Sequence, residues 1–238
     1  MAIALETVEL AVEDGTTMTA HIARPKNAAN APGILVFQEA FGVNDHIKDL
    51  AQRFAAEGFL AVAPEMYHRT GSGVTLNYGD MDAVKPHSGA VTTETIVADV
   101  KAAYAWITGP GGAPADRIAA IGYCQGGRVT YVANATVSLS AAVSYYGGGL
   151  ATEPMLALAA KQRGPILQFW GGKDKNIPPE SYRATADALT AAEKIHEQVV
   201  FSYAEHGFFC DARASYNPHA SRQAWALTLE FFRSQKVL

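Results

Sequence analysis

The sequence predicts an α/β protein in which a mostly parallel central sheet has helices on both faces and follows an N-terminal antiparallel hairpin. Short apolar runs alternate with segments of helical spacing, an order typical of parallel sheets. Two alternating stretches, Thr7–Val12 and Thr17–Ala23, flank the turn EDG at 13–15 and predict the hairpin. Because no internal repeat or linker divides the chain, we expect a single domain over residues 1–238.

Six apolar runs after the hairpin predict the buried strands of the sheet. These runs are Ile34–Phe37, Phe59–Ala63, Ile118–Ile121, Ala141–Tyr145, Gly164–Trp170 and Gln198–Tyr203. Helical spacing follows in the segments from Asn44 or Asp45 to Gly58, Thr93–Ile107, the stretch after residue 124, Ser181–Ala192 and Pro218–Phe232. Residues 65–92 interrupt this order, since they show no clear period and exceed a normal connection in length. We therefore expect a lid-like insertion there.

Composition narrows the class of protein. The chain is 49% hydrophobic and 18% charged, an ordinary globular balance. A net charge of −4 without any Lys/Arg cluster argues against a nucleic-acid partner. The N-terminus lacks an apolar signal core and no apolar run is long enough for a membrane span, so we expect a cytoplasmic protein with no membrane partner. Cys124 and Cys210 are too few for a disulfide framework.

The stretch IAAIGYCQGGRVTYVANA at 118–135 is the most informative in the chain. A buried strand, a tight turn and a helix follow each other, with Cys124 at the apex. This is the pattern of a nucleophile elbow, whose usual form is G-x-S-x-G. Gly122 and Gly126 leave the room that such a turn needs. The alternative is a small buried cysteine in a glycine-rich turn, because free cysteine is often buried.

Two later positions suit the partners of such a nucleophile. Elbow hydrolases place an acid and then a histidine on loops after later strands. Asp174 in GGKD follows the strand at 164–170, and His206 in AEHGF follows the strand at 198–203. Because parallel strands end at one edge of the sheet, we expect these loops and the elbow to converge. Cys124, Asp174 and His206 are therefore the predicted nucleophile, acid and base.

Other candidates for these roles are weaker. Asp211 is a rival acid, but it lies too close to His206 in sequence to come from another strand's loop. Six histidines lack the position after the C-terminal end of a strand: His21, His46, His68, His87, His196 and His219. His206 and Cys210 are two possible metal ligands without a second clear pair, so we expect no metal.

An elbow enzyme also needs donors for the oxyanion. One is the backbone N–H of the residue after the nucleophile, Gln125, and the other comes from the loop QEAFGVN at 38–44. Losing one such donor typically costs ~2.7–4 kcal/mol of transition-state stabilisation. Glu39 in that loop is costly to bury unpaired, so it either forms a salt bridge or helix cap, or acts on the thiol.

Four motifs in order, QEAFGVN, GYCQGG, GGKD and EHGF, resemble the dienelactone hydrolase family of α/β-hydrolases over nearly the whole chain. The resemblance implies the α/β-hydrolase fold and hydrolysis of a small-molecule ester or lactone of the carboxymethylenebutenolide type, without a cofactor. It also implies that Cys124 is the nucleophile, that His206 is the base and that Asp174 is the acid that orients the base. By the same resemblance, Glu39 helps to generate the thiolate when substrate binds. The N–H groups of Ala40 and Gln125 are the implied oxyanion donors.

The sequence departs from the family in its arginines. Well-known members bind a substrate carboxylate with one arginine before the elbow and one just after the catalytic histidine. Arg213 corresponds to the second with a longer offset, whereas Arg69 lies early in the insertion and no other arginine lies between Arg69 and Arg117. Arg213, Arg69 and Tyr123, beside the nucleophile, are the candidate substrate-binding residues, and broader ester or lactone specificity is an equal expectation.

Three other functions are alternatives to an ester or lactone hydrolase. A cysteine-elbow thioesterase or acyltransferase would use the same residues, and water access through the insertion would decide between it and a hydrolase. A non-catalytic binding protein is disfavoured by the intact order of cysteine, aspartate and histidine. A dinucleotide-binding domain is excluded because GYCQGG is not the G-x-G-x-x-G fingerprint.

Overall fold

A single eight-stranded sheet forms the centre of the molecule. The computed structural model describes residues 2–26 and 29–238, so Met1 and the pair 27–28 of the connector after the hairpin lie outside it. The strands are β1 (Ile3–Ala11), β2 (Thr17–Pro25), β3 (Gly33–Phe37), β4 (Leu60–Pro64), β5 (Ile118–Tyr123), β6 (Ala141–Tyr145), β7 (Ile166–Gly171) and β8 (His196–Phe201). Their order across the sheet is β1-β2-β4-β3-β5-β6-β7-β8.

The direction of the strands confirms the predicted mostly parallel sheet with an N-terminal hairpin. β1 pairs antiparallel with β2, and β2 pairs antiparallel with β4. All pairs from β4 through β3, β5, β6 and β7 to β8 are parallel. Every residue of β3 to β7 is buried, as the continuous apolar runs require.

Strand register brings the functional loops together. Phe37 at the end of β3 lies beside Gly122, so the loop at 38–44 starts next to the elbow. Tyr123 pairs with Tyr145 on β6, and Gly171 at the end of β7 pairs with Phe201 at the end of β8. The loops after β3, β5, β7 and β8 therefore leave the same edge of the sheet, where α/β proteins bind their ligands.

Helices cover the sheet on both faces. They are α1 (Asp45–Ala56), α2 (Met81–Ser88), α3 (Thr93–Thr108), α4 (Gln125–Thr136), α5 (Glu153–Leu156), α6 (Pro179–Ala191) and α7 (Pro218–Ser234), with a 3₁₀ turn at Ala159–Lys161. α1 packs against α7 through the Phe54 ring, which contacts Trp225 and Phe232. α3 and α4 pack against each other. Asn44 caps α1 by accepting a hydrogen bond from the backbone N–H of Ile47.

Two of the differences from the sequence prediction have a clear physical cause. The insertion at 65–92 contains the helix α2. Because α2 buries only Val84 and contains Pro86 in its interior, its sequence shows no helical periodicity of apolar residues. β8 spans His196–Phe201 and not 198–203, because residues 202–203 form a turn against which Gly172 packs closely. Both differences depend on contacts with distant parts of the chain, which the local sequence of each segment does not show.

Over the residues described, no helix is both long enough and apolar enough to cross a membrane.

Candidate active site

Cys124 occupies the sharp turn between β5 and α4. Its backbone has φ 55° and ψ −114°, a region that side chains rarely adopt and that often marks functional sites. The turn requires glycine at two positions. A Cβ on Gly122 would lie 2.0 Å from the carbonyl oxygen of Gly126, and one on Gly126 would lie 2.3 Å from that of Phe37. The two glycines therefore allow the half-buried thiol to stand above the end of the sheet.

His206 and Asp174 lie next to this thiol. The His206 Nε2 atom is 3.1 Å from Cys124 Sγ, and Nδ1 is 2.7 Å from Asp174 Oδ2. The other carboxylate oxygen of Asp174 accepts hydrogen bonds from the backbone N–H groups of Asn176, at 2.8 Å, and Ile177, at 3.2 Å. Loops from three different strands thus place a thiol, an imidazole and a fixed carboxylate in line.

The surroundings of His206 change its basicity. Burial lowers the pKa of His206, but hydrogen bonds and charge interactions with Asp174 and Cys124 outweigh it and raise the pKa from 6.5 to about 10. An imidazole in this position can accept a proton from the thiol at Nε2 while Nδ1–H donates to Asp174. The arrangement is suited to generate a nucleophilic sulfur.

Glu39 lies in a salt bridge and makes no hydrogen bond to the Cys124 thiol. Its side chain is 1% exposed, and Oε1 accepts a hydrogen bond from Arg213 Nη1 at 2.9 Å. The other oxygen, Oε2, is buried and has no hydrogen-bond partner among the described residues. The structure thus shows the first of the two alternatives for Glu39, a salt bridge, and one of its oxygens remains available.

The backbone N–H groups of Ala40 and Gln125 make no hydrogen bond to any residue in the described ranges. The Tyr67 hydroxyl lies 3.0 Å from the Ala40 carbonyl oxygen and 2.8 Å from Gln125 Oε1, so one buried side chain joins the two residues. Sequence reasoning missed Tyr67, which lies in the insertion with no pattern to distinguish it. Both amides are free to bind an anionic oxygen.

A cavity of about 510 Å³ opens beside the thiol. Its lining contains Cys124 and His206 together with two cationic side chains, Arg213 and Arg128. Apolar side chains from the loop at 38–44 and from α2, among them Phe41, complete one wall. The insertion at 65–92 therefore contributes to the cavity through its helix α2.

Arg128 is a site residue that sequence reasoning missed. Its guanidinium donates a hydrogen bond to the Val91 carbonyl at 2.9 Å and forms no salt bridge with the described part of the chain. Burial lowers the pKa of Arg128, whereas the nearby Cys124 and Tyr67 raise it. The signal was its position in the first turn of α4, directly after the elbow that holds Cys124.

Two candidate substrate-binding residues lie outside the cavity. Arg69 makes two hydrogen bonds to the buried Asp99, at 2.9 and 2.8 Å, and a third to Asp14 at 2.8 Å. A buried carboxylate therefore holds the guanidinium, and Arg69 does not line the cavity beside the thiol. Tyr123 is fully buried, and its ring packs against Tyr145 with centroids 4.7 Å apart. Its side chain points into the core because neighbouring strand residues face opposite sides of the sheet.

A second group of ligand-type side chains lies outside this cavity. His46, Cys210 and Asp211 have their ligand atoms within 4.8 Å of one another. Cys210 therefore meets His46 and Asp211 here, whereas the sequence suggested His206 as its partner.

Comparison with known proteins assigns the chain to a family. The model of the dienelactone hydrolase family matches residues 18–236. A Synechocystis protein named as a carboxymethylenebutenolidase is 31% identical over 223 residues, which cover 90% of this chain and 91% of that protein. A Salmonella typhimurium protein of the same name is 35% identical over 227 residues and covers 92% and 83% of the two chains.

Solved structures agree with this assignment. A Klebsiella pneumoniae structure named as a dienelactone hydrolase has a TM-score of 0.89 and 34% identity, with 98% of this chain and 99% of that chain covered. A dienelactone hydrolase-like phosphotriesterase from metagenomic libraries shares the fold, with a TM-score of 0.87 and 24% identity over 99% of both chains. The chain therefore belongs to the dienelactone hydrolase family and is an ester or lactone hydrolase with an α/β-hydrolase fold.

Proposed function

We propose that this hydrolase cleaves its ester or lactone through an acyl-thioenzyme formed on Cys124. The observation that carries the proposal is the hydrogen-bonded line from Cys124 Sγ through His206 to Asp174, with separations of 3.1 and 2.7 Å. Cys124 is the nucleophile, His206 is its general base, and Asp174 holds the imidazole in the orientation that exposes Nε2 to the thiol.

The first half-reaction forms the thioester. His206 accepts the thiol proton, and the thiolate sulfur attacks the carbonyl carbon of the substrate. The carbonyl oxygen becomes an oxyanion that the N–H groups of Ala40 and Gln125 stabilise. Collapse of this intermediate breaks the carbon–oxygen bond, and the leaving alkoxide takes the proton from His206. In a lactone the resulting hydroxyl stays attached to the acyl group.

The second half-reaction releases the acid. His206 removes a proton from water, and the hydroxide attacks the thioester carbon to form a second oxyanion at the same two amides. Collapse breaks the carbon–sulfur bond and returns the proton to the Cys124 sulfur. This mechanism uses no metal or organic cofactor in either step.

The experiment that tests the proposal is the capture of the acyl group. Acid quenching during turnover of a nitrophenyl ester, followed by peptide mass spectrometry, is expected to find the acyl mass on the peptide that contains Cys124. An amine acceptor added in parallel separates hydrolysis from acyl transfer. A free carboxylic acid as the main product supports the hydrolase, and a dominant amide would show a transferase.

The two arginines of the cavity support a substrate that bears a carboxylate. Arg213 and Arg128 both line the cavity that contains the thiol. Arg213 is partly neutralised by Glu39, whereas Arg128 makes no salt bridge with the residues described. A guanidinium that is withdrawn from water without a counter-ion favours an anionic ligand. We infer that Arg128 takes the place of the family arginine that this sequence lacks before the elbow.

Arg128→Gln is expected to raise KM about tenfold or more for a substrate that carries a carboxylate, because a charge-assisted hydrogen bond is worth ~1.5–3 kcal/mol. The neutral methyl ester of the same substrate should keep its KM. Exposed Arg163→Gln is the matched control and should change neither value. An equal effect on both substrates would contradict the assignment of Arg128.

Glu39→Gln is expected to lower kcat by about tenfold or more while the protein stays folded. The carboxylate has one buried oxygen without a hydrogen-bond partner among the described residues, and its salt-bridge partner Arg213 lines the cavity that contains the thiol. The variant loses the charge that helps to form the thiolate. The measurements are kcat and the rate of Cys124 alkylation by iodoacetamide. Glu65→Gln, which alters another buried carboxylate, is the control. Unchanged turnover together with unchanged alkylation would rule out this role.

A further inference from the structure

Three side chains with the chemistry of metal ligands meet outside the substrate cavity. His46 lies in the first turn of α1, and Cys210 and Asp211 lie in the loop after β8. One ring nitrogen, the thiol sulfur and a carboxylate oxygen all lie within 4.8 Å of one another. In the part of the chain that the structure describes, this is the one cluster of three or more such residues.

His46 is buried without a hydrogen-bond partner among the described residues. Its side chain is 5% exposed, and neither ring nitrogen makes a hydrogen bond to another described residue. Nδ1 lies 3.7 Å from Asp211 Oδ1, which is too long for a hydrogen bond. Two ligands of one tetrahedral ion at ~2.0–2.3 Å lie roughly 3.3–3.7 Å apart. The separation therefore suits two groups that share an ion better than two groups in direct contact.

Charge around the cluster favours a cation. Among the described residues Glu39 leaves its buried Oε2 without a hydrogen-bond partner, and its negative charge acts on both His46 and Cys210. An ion that binds Cys210 displaces the thiol proton into solvent. The thiol lies 3.2 Å from the Tyr78 hydroxyl, which can donate to the sulfur once that proton has left.

A separate cavity provides access to the cluster. It has a volume of about 330 Å³, is lined by His46, Tyr78 and Asp45 among others, and shares no lining residue with the cavity beside Cys124. The Asp211 side chain is 76% exposed. An ion can therefore reach the cluster from solvent and keep a water molecule in its fourth position.

We propose that His46, Cys210 and Asp211 bind a divalent transition metal of the zinc type. Nitrogen, sulfur and oxygen ligands in a roughly tetrahedral group are the set that Zn²⁺ prefers. The ion takes no part in the ester chemistry. Its role is to hold the loop that carries His206 and Arg213, because the Cys210 backbone accepts a hydrogen bond from the Arg213 N–H and donates one to Gly207 O, both at 3.1 Å.

Co²⁺ binding in a Cys124→Ala background tests the site, because Cys210 is then the sole thiol. One equivalent of Co²⁺ added to chelator-treated protein is expected to produce thiolate-to-cobalt charge-transfer absorption together with the visible bands of tetrahedral cobalt. Zn²⁺ should displace the Co²⁺ and raise the thermal midpoint by mass action. Since this background lacks the nucleophile, the result is independent of the proposed mechanism.

Three variants in this background identify the ligands. Cys210→Ser should lose the charge-transfer band, and His46→Gln and Asp211→Asn should weaken Co²⁺ binding at least about tenfold. His196→Gln is the control, since one buried nitrogen of His196 also lacks a hydrogen-bond partner in the described ranges but the residue lies outside the cluster. Asp211→Asn changes an exposed side chain and remains informative if the buried variants fail to fold. The absence of a thiolate band, its persistence in Cys210→Ser, or unchanged binding in Asp211→Asn would overturn the proposal.

Discussion

Cys124→Ala is expected to lower kcat by about 10⁵- to 10⁶-fold, the scale of nucleophile removal in triad hydrolases. The sulfur forms the only covalent bond to the acyl group in the proposed mechanism, so the remaining amides and imidazole can only orient substrate and water. Alanine keeps the Cβ atom at φ 55°, so the strain of the elbow is unchanged. We therefore expect the loss to appear in kcat alone.

The measurement combines steady-state kinetics with the acyl-capture experiment. The variant should unfold at the wild-type temperature and should give no acylated peptide after acid quenching. If the thermal midpoint is unchanged, the loss of activity is due to the missing sulfur and not to unfolding of the variant. Turnover within tenfold of wild type, or an adduct on another residue, would show that Cys124 is not the nucleophile.

Asp174→Asn is expected to lower kcat by roughly 10²- to 10⁴-fold, because the amide supports the wrong imidazole tautomer and removes the charge that stabilises imidazolium. Asp174 is the largest of the influences that raise the pKa of His206 towards about 10, so this pKa should fall in the variant. Asp187→Asn, on the exposed side of α6, is the control and should retain wild-type turnover.

The same variant should alter how stability depends on pH. The folded-state pKa of His206 lies above its ordinary value of 6.5, so the folded protein holds a proton that the unfolded chain releases. This contribution to stability is complete below pH 6.5 and is lost as pH rises through about 10. Denaturant unfolding between pH 6 and 10 should show a smaller decline for Asp174→Asn than for wild type. An equal decline would show that Asp174 does not set this pKa.

Much of the fold was predictable because each element carries its own signal. The buried strands appear as apolar runs, and α1 has an asparagine cap at Asn44 and periodic apolar residues. α2 was not predictable, since it buries only Val84 and contains Pro86. The helix forms because it packs over the loop at 38–41, where Val84 contacts Ala40 and Phe41, and such long-range contacts leave no local period.

The site also contains some residues whose positions the sequence predicts and others whose positions only the structure shows. The meeting of Cys124, Asp174 and His206 at one edge of the sheet was predictable, because each follows a recognisable strand in the order that elbow hydrolases use. Arg69 and Tyr123 lie outside the cavity, and this was not predictable because a sequence shows the charge or polarity of a side chain but not its partner. Asp99 binds Arg69 in the structure, and the aromatic core surrounds the ring of Tyr123.

The sequence by itself determined the parallel sheet, the elbow with Cys124 and the order of its partners, because these depend on strand periodicity and on glycine at fixed positions. Only the tertiary structure decided which cations face the thiol and that His46 meets Cys210 and Asp211. The directions of side chains and the pairing of charges depend on packing between segments far apart in the chain. That packing exists only once the sheet and its loops have assembled.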